Sequence, residues 1–216
     1  MSARALPLAL LATSFACSMM GPAPPLFPPS RSVESIDFED DSLNQAPSGL
    51  ETSGSGRWAV VDSPTAVSGT QVVVRRGDDP AMLGVREAKG TASVVGEVSL
   101  RVLLGASGAG IACDTDGNGY VFKAEPANRR VALYRKSNGA AELLAAEGAA
   151  VEKGKWLRLG ILCAEDRIVG YLDGKPVLTK QAPLGRTNLA LYADPGVTAH
   201  FDDVRYAVPA GGSGDD

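Results

Sequence analysis

An all-β domain of two stacked antiparallel sheets is the fold class that the sequence predicts, and three observations predict it. Between Ser35 and Val208 apolar residues recur with a period of two, the spacing that puts alternate side chains on one face of a strand. Turn dipeptides punctuate these runs at short intervals: Asp116-Gly117, Asn118-Gly119, Asn138-Gly139, Lys153-Gly154 and Asp173-Gly174. No segment carries the 3.6-residue period of a long amphipathic helix.

The ends of the 216-residue chain stand outside that pattern. Residues 1–16 read as a signal peptide. Arg4 supplies a positive start, and Ala5 to Ala16 form an apolar run too short to span a bilayer. Ser14-Phe15-Ala16 then offers a small-x-small cleavage pattern just before Cys17. The pattern resembles a bacterial lipoprotein lipobox, with Ser14 where Leu is usual. Lipidation of Cys17 is the favoured reading and simple secretion after Ala16 the alternative. Residues 17–34 follow as the lipidated cysteine and a tether, whose Pro-rich stretch Gly21–Ser32 is expected to be extended and unable to pack. Residues 35–208 are the sandwich domain, and 209–216 a polar, Gly-rich, disordered tail. The expected location is exported: the bacterial cell envelope, as an outer-membrane lipoprotein, or else periplasmic or secreted.

Within the domain the clearest alternation is Val98, Leu100, Val102 and Leu104. Six further strands are expected at 71–75, 120–123, 131–135, 156–163, 168–172 and 188–192, and a closing one at 200–206. The Ala-rich run 140–150 fits a turn or two of helix, or equally strand and loop. About ten to thirteen strands joined by hairpins must stack as two sheets, because each hairpin can bury only one face. Export leaves Cys113 and Cys163 as an even pair in an oxidising compartment. Each ends an apolar alternating run, so both should point inward, either bridged or as two separate thiols.

The order of motifs resembles the concanavalin A-like lectin and glucanase superfamily. Phe38-Glu39-Asp40-Asp41, Gly56-Arg57-Trp58-Ala59-Val60, Gly119-Tyr120-Val121-Phe122, Lys155-Trp156-Leu157-Arg158-Leu159, Tyr171-Leu172-Asp173-Gly174-Lys175 and Phe201-Asp202-Asp203-Val204 come in family order. They are most similar to laminin-G-like and 3-keto-disaccharide hydrolase-like domains. The resemblance implies a jelly-roll sandwich whose first and last strands lie side by side. It implies no single function, since such sandwiches serve as lectins, glycanases, adhesion modules and inert linkers.

Composition narrows the function. A net charge of −4 without a basic patch excludes an ordinary nucleic-acid binder, and the only membrane contact expected is the lipid anchor. Asp114-Thr115-Asp116-Gly117-Asn118-Gly119 with Glu125 at the twelfth place satisfies an EF-hand formula, but its flanks read as strands and Pro126 follows Glu125. Asp114, Asp116 and Asn118 are therefore candidate ligands of a structural Ca²⁺ on a hairpin, against a plain polar turn. Asp40, Asp41, Asp202 and Asp203 are a second acidic group, to be solvated, paired with Arg205 or bridged by a cation. Catalysis finds little support. The glycanase pattern E-x-D-x-E fails because Ser35 stands where its nucleophile would be, and one histidine, His200, cannot build a triad or zinc set. No catalytic residue can be named. Tyr134 and Tyr192 lie opposite the expected core faces of their strands and are the rings that could meet a ligand. The expectation is a non-catalytic surface module for carbohydrate or matrix. The rivals are a glycoside-cleaving enzyme of the 3-keto-disaccharide hydrolase-like type and a structural or adhesion protein without small ligand.

Overall fold

The computed structural model describes residues 25–27, 32–53, 57–79, 81–88, 93–115, 118–164, 166–182, 185 and 187–207. Fifteen strands follow one another among them: β1 (Glu34–Ile36), β2 (Leu50–Ser53), β3 (Arg57–Asp62), β4 (Gln71–Arg76), β5 (Ala81–Val85), β6 (Val94–Leu104), β7 (Ala109–Thr115), β8 (Asn118–Glu125), β9 (Arg130–Ser137), β10 (Ala140–Gly148), β11 (Leu157–Ala164), β12 (Arg167–Leu172), β13 (Lys175–Gln181), β14 (Asn188–Ala193) and β15 (Thr198–Ala207). Sheet A runs β13-β12-β11-β6-β15-β4-β3, with β1 also paired to β15. Sheet B runs β10-β9-β8-β7-β14-β5-β2. Every pairing is antiparallel, and the first and last strands lie side by side. This is a two-sheet jelly-roll sandwich.

Alternation builds its core. Val98, Leu100 and Val102 of β6 and Leu159 and Ile161 of β11 point inward from sheet A. Ile111, Phe122, Leu133, Leu189 and Leu191 meet them from sheet B. Each such side chain contributes about 1.5–3 kcal/mol when fully buried. Phe122 lies so close over Gly170 that a Cβ there would come within 2.8 Å of its ring, so the sheets interlock at that point. Cys113 on β7 and Cys163 on β11 join in a disulfide across the two sheets, with Cα atoms 6.6 Å apart. The hairpins β9–β10 and β12–β13 turn on Asn138-Gly139 and Asp173-Gly174. All four residues have positive φ, the backbone that fits the twist of a two-residue hairpin.

Four expectations need correction, and one open alternative is decided. There are more strands than thirteen, because β1 and β2, of three and four residues, are too short to display a period. Leu104 is 64% exposed, because the β6–β15 register slips between Val102 and Leu104 and breaks the alternation. The Ala-rich run is strand β10, an exposed edge held by its pairing to β9. Asn118-Gly119 begins β8 and is not the turn. Part of the Pro-rich segment packs: Leu26, 6% exposed, lies on sheet A with Val95, Leu162, Val169 and Tyr171. Gly160 makes room for it, because a Cβ there would sit 2.6 Å from the Leu26 side chain.

Candidate functional site

The outer face of sheet B gathers the polar groups. On β8 the inward residues Phe122 and Ala124 leave Val121, Lys123 and Glu125 facing out. On β9 the same rule turns out Arg130, Ala132, Tyr134 and Lys136, and on β14 it turns out Ala190 and Tyr192. Register then sets Tyr134 beside Val121, Val121 beside Ala112, and Ala112 beside Ala190. In the next row Lys123 lies beside Gly110, and Gly110 beside Tyr192. The middle strands therefore offer a floor of small residues, and longer side chains lie down across it. Lys136 spans two intervening strands to place its ammonium 4.9 Å from the centre of the Tyr192 ring. Lys123 sits 4.3 Å from the centre of the Tyr134 ring.

Charge pairs lock this layer. Lys123 Nζ lies 2.5 Å from Asp194 Oδ2 and 3.4 Å from Glu125 Oε1. Arg130 Nε donates to Glu125 Oε2 at 2.6 Å, and Asn128 Nδ2 donates to the same oxygen. The Tyr134 hydroxyl donates to Glu125 Oε1 at 2.6 Å and the Tyr192 hydroxyl to Asp194 Oδ1 at 2.8 Å. Asp194 Oδ2 also accepts the Gly108 N–H. Lys123, Glu125 and Asp194 are 8%, 3% and 7% exposed. Burial alone would raise the Glu125 pKa. The hydrogen bonds from Tyr134, Asn128 and Arg130, with the Lys123 charge, outweigh burial and hold it at about 2. Burial, then the bond to Glu125, push the Tyr134 hydroxyl up to about 12. Tyr192 is raised as well, by burial first and then by Asp194. At neutral pH the layer is thus a fixed array of two carboxylates, two cations and two neutral phenols.

Sheet A presents a different exterior. Asp202, wholly buried, accepts the N–H groups of Val67 and Ser68 and the Ser68 hydroxyl, which holds the loop 63–70 down. Trp156 Nε1 donates to the Thr65 carbonyl, and Arg101 bonds Thr65 and Ser63 while stacking 4.8 Å from the centre of the Trp156 ring. Glu39 accepts the N–H groups of Thr70 and Gln71, which lowers its pKa. Leu26 and Phe27 cover the far side, with Arg205 over the Phe27 ring.

These contacts decide several sequence expectations. His200 accepts from Arg101 at Nδ1, at 2.9 Å from Nη2. Its pKa is lowered to about 4 by burial, then by the charges of Arg101 and Arg76. Of the four aspartates, Asp41 accepts the Ser48 N–H, Asp202 holds the loop and Asp203 pairs with Arg158, so they do not form one cluster. Arg205 pairs instead with Glu97, whose pKa burial raises. Among the described residues no three His, Cys, Asp or Glu side chains could share a metal ion. Cys17 and Asp116 lie outside the described residues, and Asp114 lies in β7 opposite Gly119, one residue before the strand ends. Asn118 Oδ1 accepts the Asn138 N–H from the neighbouring hairpin, and Glu125 belongs to the Lys123 array. Trp58 packs in the core against Phe201. Tyr134 and Tyr192 do face outward, as alternation indicates. Their partners Lys123 and Glu125 carry the same signal, since they share the parity of Val121, yet sequence reasoning noted Glu125 only as the twelfth place of the EF-hand formula. Arg130 shares the parity of Tyr134 as well, whereas Asp194 had no sequence signal.

The class this defines is a two-sheet antiparallel β-sandwich, and known structures share that fold. The carbohydrate-binding module CBM66 from Bacillus subtilis superposes with a TM-score of 0.59 at 24% identity, covering 73% of this chain and 94% of that one. Domain 4 of AbnA, a GH43 extracellular arabinanase from Geobacillus stearothermophilus, solved with arabinotriose, superposes with a TM-score of 0.56 at 13% identity over 82% and 93% of the chains. The exoplasmic/lumenal domain of VIP36, in its Ca²⁺- and mannose-bound form, gives 0.54 at 11% identity over 84% and 92%. No family model matches the sequence, and no curated protein matches it.

Proposed function

We propose that this chain is an exported carbohydrate-binding module, tethered to a cell surface through lipidated Cys17 and the Pro-rich segment, and that it holds its ligand on the outer face of sheet B. The observation that carries the reading is the paired array Lys123, Asp194, Glu125, Arg130, Tyr134 and Tyr192 on the outside of a sheet. Such an array stabilises a fold little more than apolar side chains of the same volume would. What it supplies is a set of pre-oriented donors and acceptors, which suits a polyhydroxylated ligand. Tyr134 is half-buried and stands in register with exposed Leu143, and together they offer an apolar strip for a pyranose face.

The structural neighbours support a saccharide ligand, and they recommend arabino- and manno-oligosaccharides as the first probes. A matrix polysaccharide is the natural polymer to try next. The non-catalytic reading draws on the electrostatics. Glycoside cleavage needs a protonated carboxylic acid beside the scissile bond, and Glu125, at about 2, stays ionised at neutral pH. The test is a pull-down of the purified protein on an array of soluble and insoluble polysaccharides, followed by titration with arabinotriose and mannose oligomers. Binding that falls roughly 2- to 10-fold in Tyr134→Ala supports the reading. Silence across the array refutes it, and release of sugar from a 3-keto-glycoside would establish the enzyme instead.

A further inference from the structure

At the far edge of sheet A, β3 and β4 carry a second, unassigned groove of about 470 Å³, a size that suits small ligands. Its floor is apolar: Ala59 and Val61 from β3, and Val74 from β4. The backbone of Asn44 and Gln45 bonds Val60 along the β3 edge and makes one wall. The turn through Gly77 and Asp78 makes another. Over the floor stand Arg57 and Arg76, which are direct cross-strand partners. Like charges placed opposite each other across an antiparallel pair weaken it. Neither guanidinium has a hydrogen-bond or ion-pair partner among the described residues.

On the same outer face, a further cation lies toward the middle of the sheet. His200 and Arg101 continue the Val74 row across β15 and β6. His200 is held neutral partly because Arg101 and Arg76 oppose a further proton. In a chain of net charge −4, this edge concentrates cations and offers Asp78 as the one carboxylate lining the groove. Guanidinium pairs match a carboxylate in shape and charge, and the apolar floor matches the ring face of a sugar.

We propose that the β3–β4 groove binds a carboxylate-bearing sugar unit, a uronate, with Arg57 and Arg76 on the carboxylate and the ring against Ala59, Val61 and Val74. The proposal rests on the carbohydrate reading above only in taking the ligand to be a sugar, because the two surfaces lie on opposite sheets. Asn44 and Asp78 are placed to bond ring hydroxyls at the rim.

Isothermal titration of the purified protein with trigalacturonate, and separately with its methyl ester, tests this. The expected result is binding of the free acid, weakened at least about tenfold by esterification and by Arg57→Gln or Arg76→Gln. It should also weaken as NaCl rises, since the guanidinium groups are exposed. Both variants should melt at or above the parent's temperature, because each removes a like-charge pair, so lost binding cannot be ascribed to unfolding. Tyr134→Ala should leave trigalacturonate binding intact, which separates this groove from the sheet B face. No binding of the free acid, equal binding of the ester, or binding indifferent to both arginine variants would overturn the proposal.

Discussion

The two sheets share one interior but have unlike exteriors. Sheet A is dressed by its own chain: Asp202 and Arg101 hold the loop 63–70 over its middle, and Leu26 and Phe27 seal the strands around Gly160. What remains open is the β3–β4 edge. Sheet B carries side chains in place of loops. Small residues in β7 and β14 let Tyr134, Tyr192, Lys123 and Lys136 lie across it, pinned by Glu125 and Asp194. The difference teaches that inward residues decide the fold while outward ones decide what the fold can meet. A polar group on sheet A mainly fastens the chain to itself. A polar group on sheet B stands in an array whose geometry is fixed before any ligand arrives.

The comparison can be broken in four ways. The largest effect concerns the link between the sheets. Replacing Cys113 and Cys163 with alanine opens a loop of 50 residues and should cost about 4 kcal/mol in urea unfolding, with one transition for both sheets. A loss below about 1 kcal/mol would deny the bridge a structural role.

Next comes a matched pair of substitutions, one per face. Lys123→Met strands two buried carboxylates and should cost about 3 kcal/mol. Asp202→Ala should cost about 2 kcal/mol by freeing the Val67 and Ser68 N–H groups. Saccharide binding, measured on folded protein, should disappear in the first and persist in the second. Equal loss in both would abolish the distinction between the faces.

Acid separates the faces a third way, with smaller effects per pH unit. His200 titrates near 4 when folded against 6.5 unfolded, so the unfolded chain binds the proton first and stability falls as pH drops from 6.5 to 4. Glu125 is ionised in the fold down to about 2 against 4.5 unfolded, so its contribution is whole above 4.5 and drains between 4.5 and 2. Urea midpoints against pH should lose the upper slope in His200→Gln and the lower slope in Glu125→Gln. The smallest effect is expected from calcium. Since Asn118 and Glu125 are already engaged within the fold, the melting temperature should be the same in excess Ca²⁺ and in chelator.

How far the sequence foretold this differs by level. Alternation in β6, β11 and β14 assigned Leu100, Leu159 and Leu191 to the core, because a strand's parity is local information. The same parity turned Tyr134 and Tyr192 outward. It failed at Leu104, where the β6–β15 register slips, and was silent in the Ala-rich β10, whose residues favour no one structure. Contacts that depend on crossovers were out of reach. Lys123 meets Asp194 because β7 lies between β8 and β14, a placement set by the whole topology. Arg57 faces Arg76 through a register that no local pattern announces.

Amide chemical shifts of the isotope-labelled protein, followed while the tightest-binding neutral oligosaccharide of the array is added, test the central claim most directly. The account expects shifts concentrated at Val121, Lys123, Tyr134, Lys136 and Tyr192, with β11, β12 and the 63–70 loop unmoved. Shifts centred on those sheet A elements, with β8, β9 and β14 still, would contradict it.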